Sequence, residues 1–478
     1  MSSGTSKPLA GDATRIFAQL CSASPLDRSV AAAELTDLLE EKHSTEHHRR
    51  VGELIASVEL SARTGGLAAI GTLLLIDGED LGPRLSTYGA PLRTALLRLV
   101  GGRPDALLHQ ACEFYGELVR RCRDPDVLEA EVKSALDALA DDADTVRDLV
   151  GSRSSEKDVT PEARLLVAVL TLRQLTVHAP TAVYPHVATA LEVLWKPLII
   201  NNAQVRFAAT DALYALLVLV APRASRYLQQ WHRQLLAGAS VAIDRDANNL
   251  ASVHGGMLAL SCLVRVASSD FVLREDPLHV GDAQQRASLS GFSSSFTTTF
   301  ASSFAMPQQR SMSTLSCFTI AWTVASRQIL SRRYPDITRT ALRLVVDLIQ
   351  IAPAVFASRC LPDCIRMLSD MLRDQRCKLR AEAFITHAAI VYSLGAVYVR
   401  PHVAVLLASL REALIRGTRS RLFCPEALAS LTAMAHSFGE EVRGARQCTG
   451  SANPRRQIPD ANSLRSLAAL LLCVGPMP

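Results

Sequence analysis

The feature that most constrains this chain is one helix written many times over. Its clearest copy is Val205-Arg206-Phe207-Ala208-Ala209-Thr210-Asp211-Ala212-Leu213-Tyr214-Ala215-Leu216-Leu217, with Val220 beyond. Val205, Ala208, Ala209, Ala212, Leu213, Leu216, Leu217 and Val220 recur at the i, i+3, i+4, i+7 spacing of a helix with one apolar face. Alanines in the middle of that face let a neighbouring helix come close.

Cognate segments begin near Asp27-Arg28-Ser29-Val30, Ser61-Ala62-Arg63, His109-Gln110-Ala111, Pro161-Glu162-Ala163-Arg164, Ser252-Val253-His254, Thr338-Arg339-Thr340-Ala341, Lys378-Leu379-Arg380-Ala381 and Pro425-Glu426-Ala427. Most lie 34 to 54 residues apart. That spacing brackets the two-helix period of HEAT repeats, about 40 to 47 residues, and Arg206 beside the first apolar position is typical of the inner helix of such a repeat. The reading is therefore all-α, a HEAT/armadillo-like solenoid of antiparallel helix pairs. Pro180, Pro222, Pro277, Pro335, Pro353, Pro362 and Pro401 fall near the ends of apolar-periodic runs, as helix boundaries require. No strand alternation bounded by hairpin turns is visible at useful length.

Composition agrees. Hydrophobic residues make up 49% of the 478 residues but aromatic residues only 5%, so burial rests on Ala, Leu and Val, which suit close helix packing better than sheet faces. The net charge is +5, and residues 411 to 465 hold nine Arg against five acidic residues. Nucleic-acid binding calls for stacking aromatics interleaved with the cations; this stretch offers only Phe423 and Phe438, so it reads as a solvated face. Eleven scattered cysteines without a C-x-x-C pair point away from disulfides and zinc knuckles and toward a reduced compartment. Without a signal core or a run of about 18 apolar residues, the chain is expected to be soluble and cytoplasmic, with no direct membrane insertion.

The rhythm breaks once. Residues 287 to 309 contain no charge and are rich in Ser, Thr and Phe, a composition that buries too little to offset its ordering entropy. Four segments follow: 1–26, a flexible N-terminus and first helix; 27–280, HEAT repeats; 281–316, a mobile insertion; and 317–478, further repeats. At the end of the last segment, residues 463 to 474 leave Leu464, Leu467, Leu470 and Leu471 without a covering helix, which suggests truncation of a longer chain. In the insertion, serines stand just after an Arg in Gln-Gln-Arg-Ala-Ser-Leu-Ser and Gln-Gln-Arg-Ser-Met-Ser, so Ser288, Ser290 and Ser313 are candidate phospho-acceptors.

Several arrangements invite a catalytic or metal reading. Asp244-Arg245-Asp246-Ala247-Asn248-Asn249 has the spacing of a kinase catalytic loop, but no D-F-G motif follows and no Gly-rich loop precedes it, so it reads as a helix-capping loop. Gly65-Gly66 and Gly255-Gly256 lack the Lys-Ser or G-x-G-x-x-G context of phosphate cradles and read as points of close helix approach. Cys360, Cys364, Cys377 and His387 are the only grouping with metal-like spacing, and buried thiols beside a half-buried His explain it as well. Asp141, Asp142 and Asp144 form a solvated acidic loop. No catalytic residue, cofactor or metal site is expected.

The order of particular words resembles one family. Arg63-Thr64-Gly65-Gly66-Leu67-Ala68-Ala69-Ile70 resembles the R-K-G-G-I-L-A-I segment near the start of TOR kinases, with Thr64 where a Lys is usual. Glu131-Val132-Lys133-Ser134-Ala135-Leu136-Asp137-Ala138-Leu139 is similar to their E-V-K-R-A-L-E-W-L, Gln230-Trp231-His232-Arg233 to Q-W-Y-R, and Val253-His254-Gly255-Gly256-Met257-Leu258-Ala259-Leu260 to I-H-G-A-L-L-I-L. The insertion falls where TOR chains carry a long variable loop, and Leu467-Ala468-Ala469-Leu470-Leu471-Leu472-Cys473-Val474-Gly475 resembles the E-L-L-E-P-M-L-A-V-G run that follows it.

The resemblance implies a scaffold in nutrient and growth signalling. Its implied partners are a Raptor-type or Rictor-type subunit and a second TOR chain, with lysosome or vacuole membranes reached only through those partners. It implies no kinase activity in this chain, since the kinase region of such proteins lies far downstream. An independent HEAT adaptor, of the transport-receptor or phosphatase-subunit type, is the alternative.

Overall fold

The computed structural model describes residues 10–39, 45–75, 82–99, 105–140, 160–222, 226–244, 249–267, 269–273, 316–374, 377–406 and 408–410, with single positions and one short run between 426 and 438. Among the described residues there are helices and turns and no strand. The chain divides into two compact units, Met1–Ala224 and Ser225–Pro478.

The first unit holds α1 (Ala10–Leu20), α2 (Pro25–Leu39), α3 (Thr45–Ile55), α4 (Leu60–Leu75), α5 (Gly82–Leu99), α6 (Asp105–Arg121), α7 (Pro125–Ala140), α8 (Pro161–His178), the short α9 (Pro180–Val183), α10 (Val187–Val193) and α11 (Trp195–Ile199), and α12 (Ala203–Val220). Each inner helix packs on its own outer partner and on the inner helix of the next repeat, so α2, α4, α6, α8 and α12 form one layer. The other layer runs α1, α3, α5, α7 and the broken segment α9 to α11. The eight apolar positions of α12 singled out by spacing are all buried, together with Arg206.

The second unit repeats the scheme. Its outer members are α13 (Arg226–Asp244), α16 (Cys317–Ser331) and α19 (Leu361–Arg373); its inner members are α14 (Leu250–Val266), α17 (Pro335–Ile351) and α20 (Arg380–Val399). Two short helices, α15 (Ser269–Leu273) and α18 (Pro353–Arg359), lie between them.

Helix starts follow the cap chemistry of the sequence. Thr160 accepts from Ala163 N with Pro161 in the first turn, Asn202 accepts from Gln204 N and Val205 N, and Ser316 accepts from Thr319 N. Each satisfies backbone donors that have no partner within the helix. Ser316 therefore opens α16 instead of closing the insertion; the rest of the predicted insertion, the predicted helix at 463–474 and the acidic loop lie outside the described residues.

Proline has a second role that periodicity does not reveal. Ala179 (φ −128°, ψ 56°) and Ala352 (φ −144°, ψ 63°) precede Pro180 and Pro353, and the chain bends there by 115° and 117°. A residue before proline is pushed out of the helical region, so the same Ala-Pro step makes the same corner in both units. Pro91 is the exception to the boundary rule. It sits inside α5, and its ring lies against Gly52 of α3, where an added Cβ would meet Pro91 Cγ at 3.3 Å.

Candidate protein-interaction surface

The repeats are joined by polar side chains at regular intervals. In the outer layer His48 Nδ1 lies 2.5 Å from Tyr88 Oη, and Arg84 bonds the other ring nitrogen. Arginine can only donate, so His48 Nε2 accepts and Nδ1–H is left to donate to the tyrosine. Glu131 of α7 takes the guanidinium of Arg93 from α5 and the Tyr115 hydroxyl of α6 at 2.7 Å, tying three helices at one carboxylate. Thr72 of α4 donates to Ala32 O of α2 at 3.2 Å. In the second unit Ser261 donates to Asp347, Arg339 to Glu382 at 2.7 Å, Ser409 to Ser369 Oγ at 2.9 Å, and Ser430 to Phe384 O at 2.6 Å.

The arginine beside the first apolar position has a specific task. Arg28 Nη1 donates to Ser22 O at 2.6 Å, Arg63 Nη1 to Ser57 O at 3.3 Å and Arg206 Nη1 to Ile200 O at 2.7 Å. In each case the side chain reaches back six residues to the turn before its own helix. The cation thus fixes the angle between outer and inner helix and satisfies a carbonyl that has no helical donor.

The described members of the catalytic and metal lookalikes have these surroundings. Asp244 ends α13 and sits 4.0 Å from Arg327. Asn249 caps α14, accepting from Ala251 N at 3.1 Å and Ser252 N at 3.4 Å, as a capping loop predicts. Asp246 and Asn248 lie outside the described residues, as do Ser288, Ser290 and Ser313. No three His, Cys, Asp or Glu side chains among the described residues lie together as a metal would require. Cys360 and Cys364 are buried, and burial pushes the Cys360 thiol up to about 11 and Cys364 higher still, away from the thiolate a metal binds. His387 is fully buried, not half-buried. Burial holds it down at about 4, and neither ring nitrogen has a hydrogen-bond partner among the described residues.

Gly65, Gly66 and Gly256 are contact points. A Cβ on Gly65 would lie 1.9 Å from Leu20 O, on Gly66 2.8 Å from Ile55 N, and on Gly256 2.9 Å from Ala239 O. Only a residue without a side chain lets these backbones approach so closely.

By length and hydropathy alone, Ala203–Val220 and Arg380–Leu406 are long and apolar enough to cross a membrane. The sequence reading that no such run exists is corrected on this point: Gln204, Arg206 and Asp211 interrupt the first as a strictly apolar run and Arg400 the second, yet the mean hydropathy of each stays high. In the fold α12 packs on α8 and buries Arg206, and α20 packs on α17.

Large apolar side chains are exposed in the first unit, among them Leu26, Val30, Val58 and Leu60, and along α20 and beyond it in the second, at Ile385, Tyr392, Val397, Tyr398 and Val405. Sequence reasoning missed both groups, because the apolar period marks buried positions and is silent about apolar residues off that face.

The packing of these helix pairs defines a helical-repeat solenoid of the HEAT/armadillo kind. Over part of its length the chain is homologous to the TOR serine/threonine kinases. It is 27% identical over 263 residues to the serine/threonine-protein kinase TOR of Arabidopsis thaliana, covering 52% of this chain and 10% of that protein. TOR2 of Saccharomyces cerevisiae is 26% identical over 258 residues, covering 51% and 10%. The mTor kinase of Drosophila melanogaster is 22% identical over 471 residues, covering 87% and 18%. The chain thus spans between a tenth and a fifth of the length of these curated relatives. No family model matches it. Among solved structures, Kap121p bound to Pho4p superposes with a TM-score of 0.48 at 14% identity, over 99% of this chain and 47% of that one.

Proposed function

We propose that this chain is a non-catalytic scaffold segment of a TOR-type kinase, presenting helical ridges to a Raptor-type or Rictor-type subunit and to a second TOR chain. The observation that supports this most is collinearity. The matched words, from Arg63 to Ile70 through Val253 to Leu260, fall on the inner helices α4 and α14, and Gly65, Gly66 and Gly256 within them are points where neighbouring backbones meet. A TOR-like order of words is thereby joined to the packing that those words serve.

Its setting is cytoplasmic, with lysosomal or vacuolar membranes reached through partners. Ser288, Ser290 and Ser313 are the proposed phospho-acceptors, each positioned after an arginine. The test is immunoprecipitation of the endogenous chain followed by mass spectrometry. A Raptor-type or Rictor-type subunit recovered with TOR chains is the expected result. Recovery of a Ran-type GTPase or a phosphatase catalytic subunit in their place would favour the independent adaptor.

A further inference from the structure

Only two prolines in the sequence follow a hydroxyl residue, in Ser24-Pro25 and Thr160-Pro161. Both steps lead into an inner helix, α2 and α8, and each hydroxyl has an arginine four residues on, Arg28 and Arg164. The two sites share a motif and differ in how the structure uses it.

At the first, the cation is taken. Arg28 Nη1 donates to Ser22 O at 2.6 Å and to Ala23 O at 3.0 Å, and Ser22 Oγ donates to Asp27 Oδ2 at 3.0 Å. Ser24 and Arg28 are half-buried in this closed turn, and Asp27 N donates to Ser24 Oγ at 3.3 Å. A doubly charged group on Ser24 would draw Arg28 off two carbonyls and face the Asp27 carboxylate.

At the second, Thr160, Pro161 and Arg164 are all exposed. The Arg164 guanidinium makes no hydrogen bond or ion pair among the described residues. Thr160 is extended (φ −69°, ψ 151°), the conformation imposed on a residue before proline and the one accepted by a cleft that binds peptide as an added strand. Pro161 has no N–H, and the amides of the first helical turn have no helical acceptor, so that turn yields to a cleft at little cost. Arg164 N donates to Thr160 O at 3.2 Å, which sets the two residues one turn apart on the same side of α8. Glu162, two positions on, does not share that side. A phosphate on Thr160 would carry about −1.5 to −2 charges and three acceptor oxygens within reach of an unused guanidinium fork.

We propose that Thr160 is a phosphorylation site for a proline-directed kinase, with Arg164 holding the phosphate. In that step Thr160 Oγ1 forms a bond to the γ-phosphorus of a nucleoside triphosphate as the bond from that phosphorus to the β,γ-bridging oxygen breaks. The hydroxyl proton passes to the kinase's base, and the nucleoside diphosphate leaves. The product ties the first turn of α8 together through the Thr160 phosphate and Arg164. The inference concerns α8 as a substrate and is independent of the scaffold reading.

The full chain, incubated with a purified proline-directed kinase and ATP, tests it through phosphosite mapping by mass spectrometry and hydrogen exchange of the product. Thr160 should be phosphorylated at least about tenfold faster than Ser24, Thr160→Ser should keep that phosphate and Thr160→Val should lose it. In the phosphorylated chain the amides of residues 164 to 168 should exchange about fivefold more slowly. Arg164→Ala should still take phosphate at Thr160 but lose most of that slowing. No phosphate on Thr160, faster labelling of Ser24, or equal slowing with and without Arg164 would each overturn the proposal.

Discussion

His254 Nε2 and Thr340 Oγ1 lie 2.9 Å apart, although 86 residues separate them. Ser261 and Asp347, also 86 apart, bond one helical stretch further along the same two helices. The joints of His48 with Tyr88 and of Ser409 with Ser369 each span 40 residues. The inner layer of the second unit therefore closes over residues 274–315 as if that stretch did not interrupt it, α14 seating directly on α17.

Removing residues 281–310 and joining the ends with a short Gly-Ser linker should for that reason leave the second unit intact. The expected change in melting temperature is less than about 4 °C, the effect of about 1 kcal/mol on a domain of this size. Loss of cooperative unfolding would show that the interrupted stretch is part of the packing.

Arg206 is 8% exposed and donates to Ile200 O. Arg206→Ala leaves that turn without its charge-assisted donor and should cost about 2 kcal/mol in urea denaturation. Arg164→Ala, at an exposed position near the start of α8, should change stability by less than about 0.5 kcal/mol. Equal effects from the two substitutions would remove the clamp from the account.

Gly65→Ala should be the more damaging of two glycine substitutions. Its Cβ would fall 1.9 Å from Leu20 O, forcing α4 away from the end of α1 at about 2–3 kcal/mol. Gly395→Ala has open space and only its backbone conformation (φ 70°, ψ 176°) to contend with, a cost of about 1–2 kcal/mol. The order of the two midpoints checks both contacts at once.

Burial sets a pH dependence with opposing signs. His232, edge-on to Phe271, and His387 are both held down at about 4 from the usual 6.5. The unfolded chain therefore binds more protons between those values, and both rings make stability rise as pH increases from about 4 to 6.5. Asp347 is pushed up to about 6 from 3.8, chiefly by desolvation, with its Ser261 bond and the nearby Arg265 and Arg343 opposing the shift. The folded state there holds the extra proton, so this carboxyl contributes stability below pH 3.8 that is lost as pH rises through 6. His232→Phe should reduce the loss of melting temperature between pH 7 and pH 4.5, and Asp347→Asn should enlarge it. Identical pH profiles for the three proteins would contradict the burial of these groups.

Much of this fold was legible because an inner helix must repeat small and aliphatic residues on one face, as Val205 to Val220 do. The glycine pairs were legible for the same reason, since Gly65-Gly66 recurs in place as Gly255-Gly256. The Ala-Pro corners at Ala179 and Ala352 were not, because a proline at a helix boundary says that the helix stops and not which way the chain turns. Pro91 inside α5 escaped because its tolerance depends on Gly52, in a different helix. The polar joints, His48 with Tyr88 and His254 with Thr340, carry no local signal, since each residue is informative only beside its partner. The exposed face of α20 was hidden by the very feature that marked the helix: Ile385 and Tyr392 are as apolar as the residues buried behind them.

The central claim, that this solenoid acts by binding protein and not by chemistry, is tested most directly by sedimentation of the purified chain mixed with a purified Raptor-type subunit from the same source, without nucleotide. The account predicts a stoichiometric complex whose formation is insensitive to Asp244→Ala. No complex, together with nucleotide hydrolysis by the chain that disappears in Asp244→Ala, would contradict it.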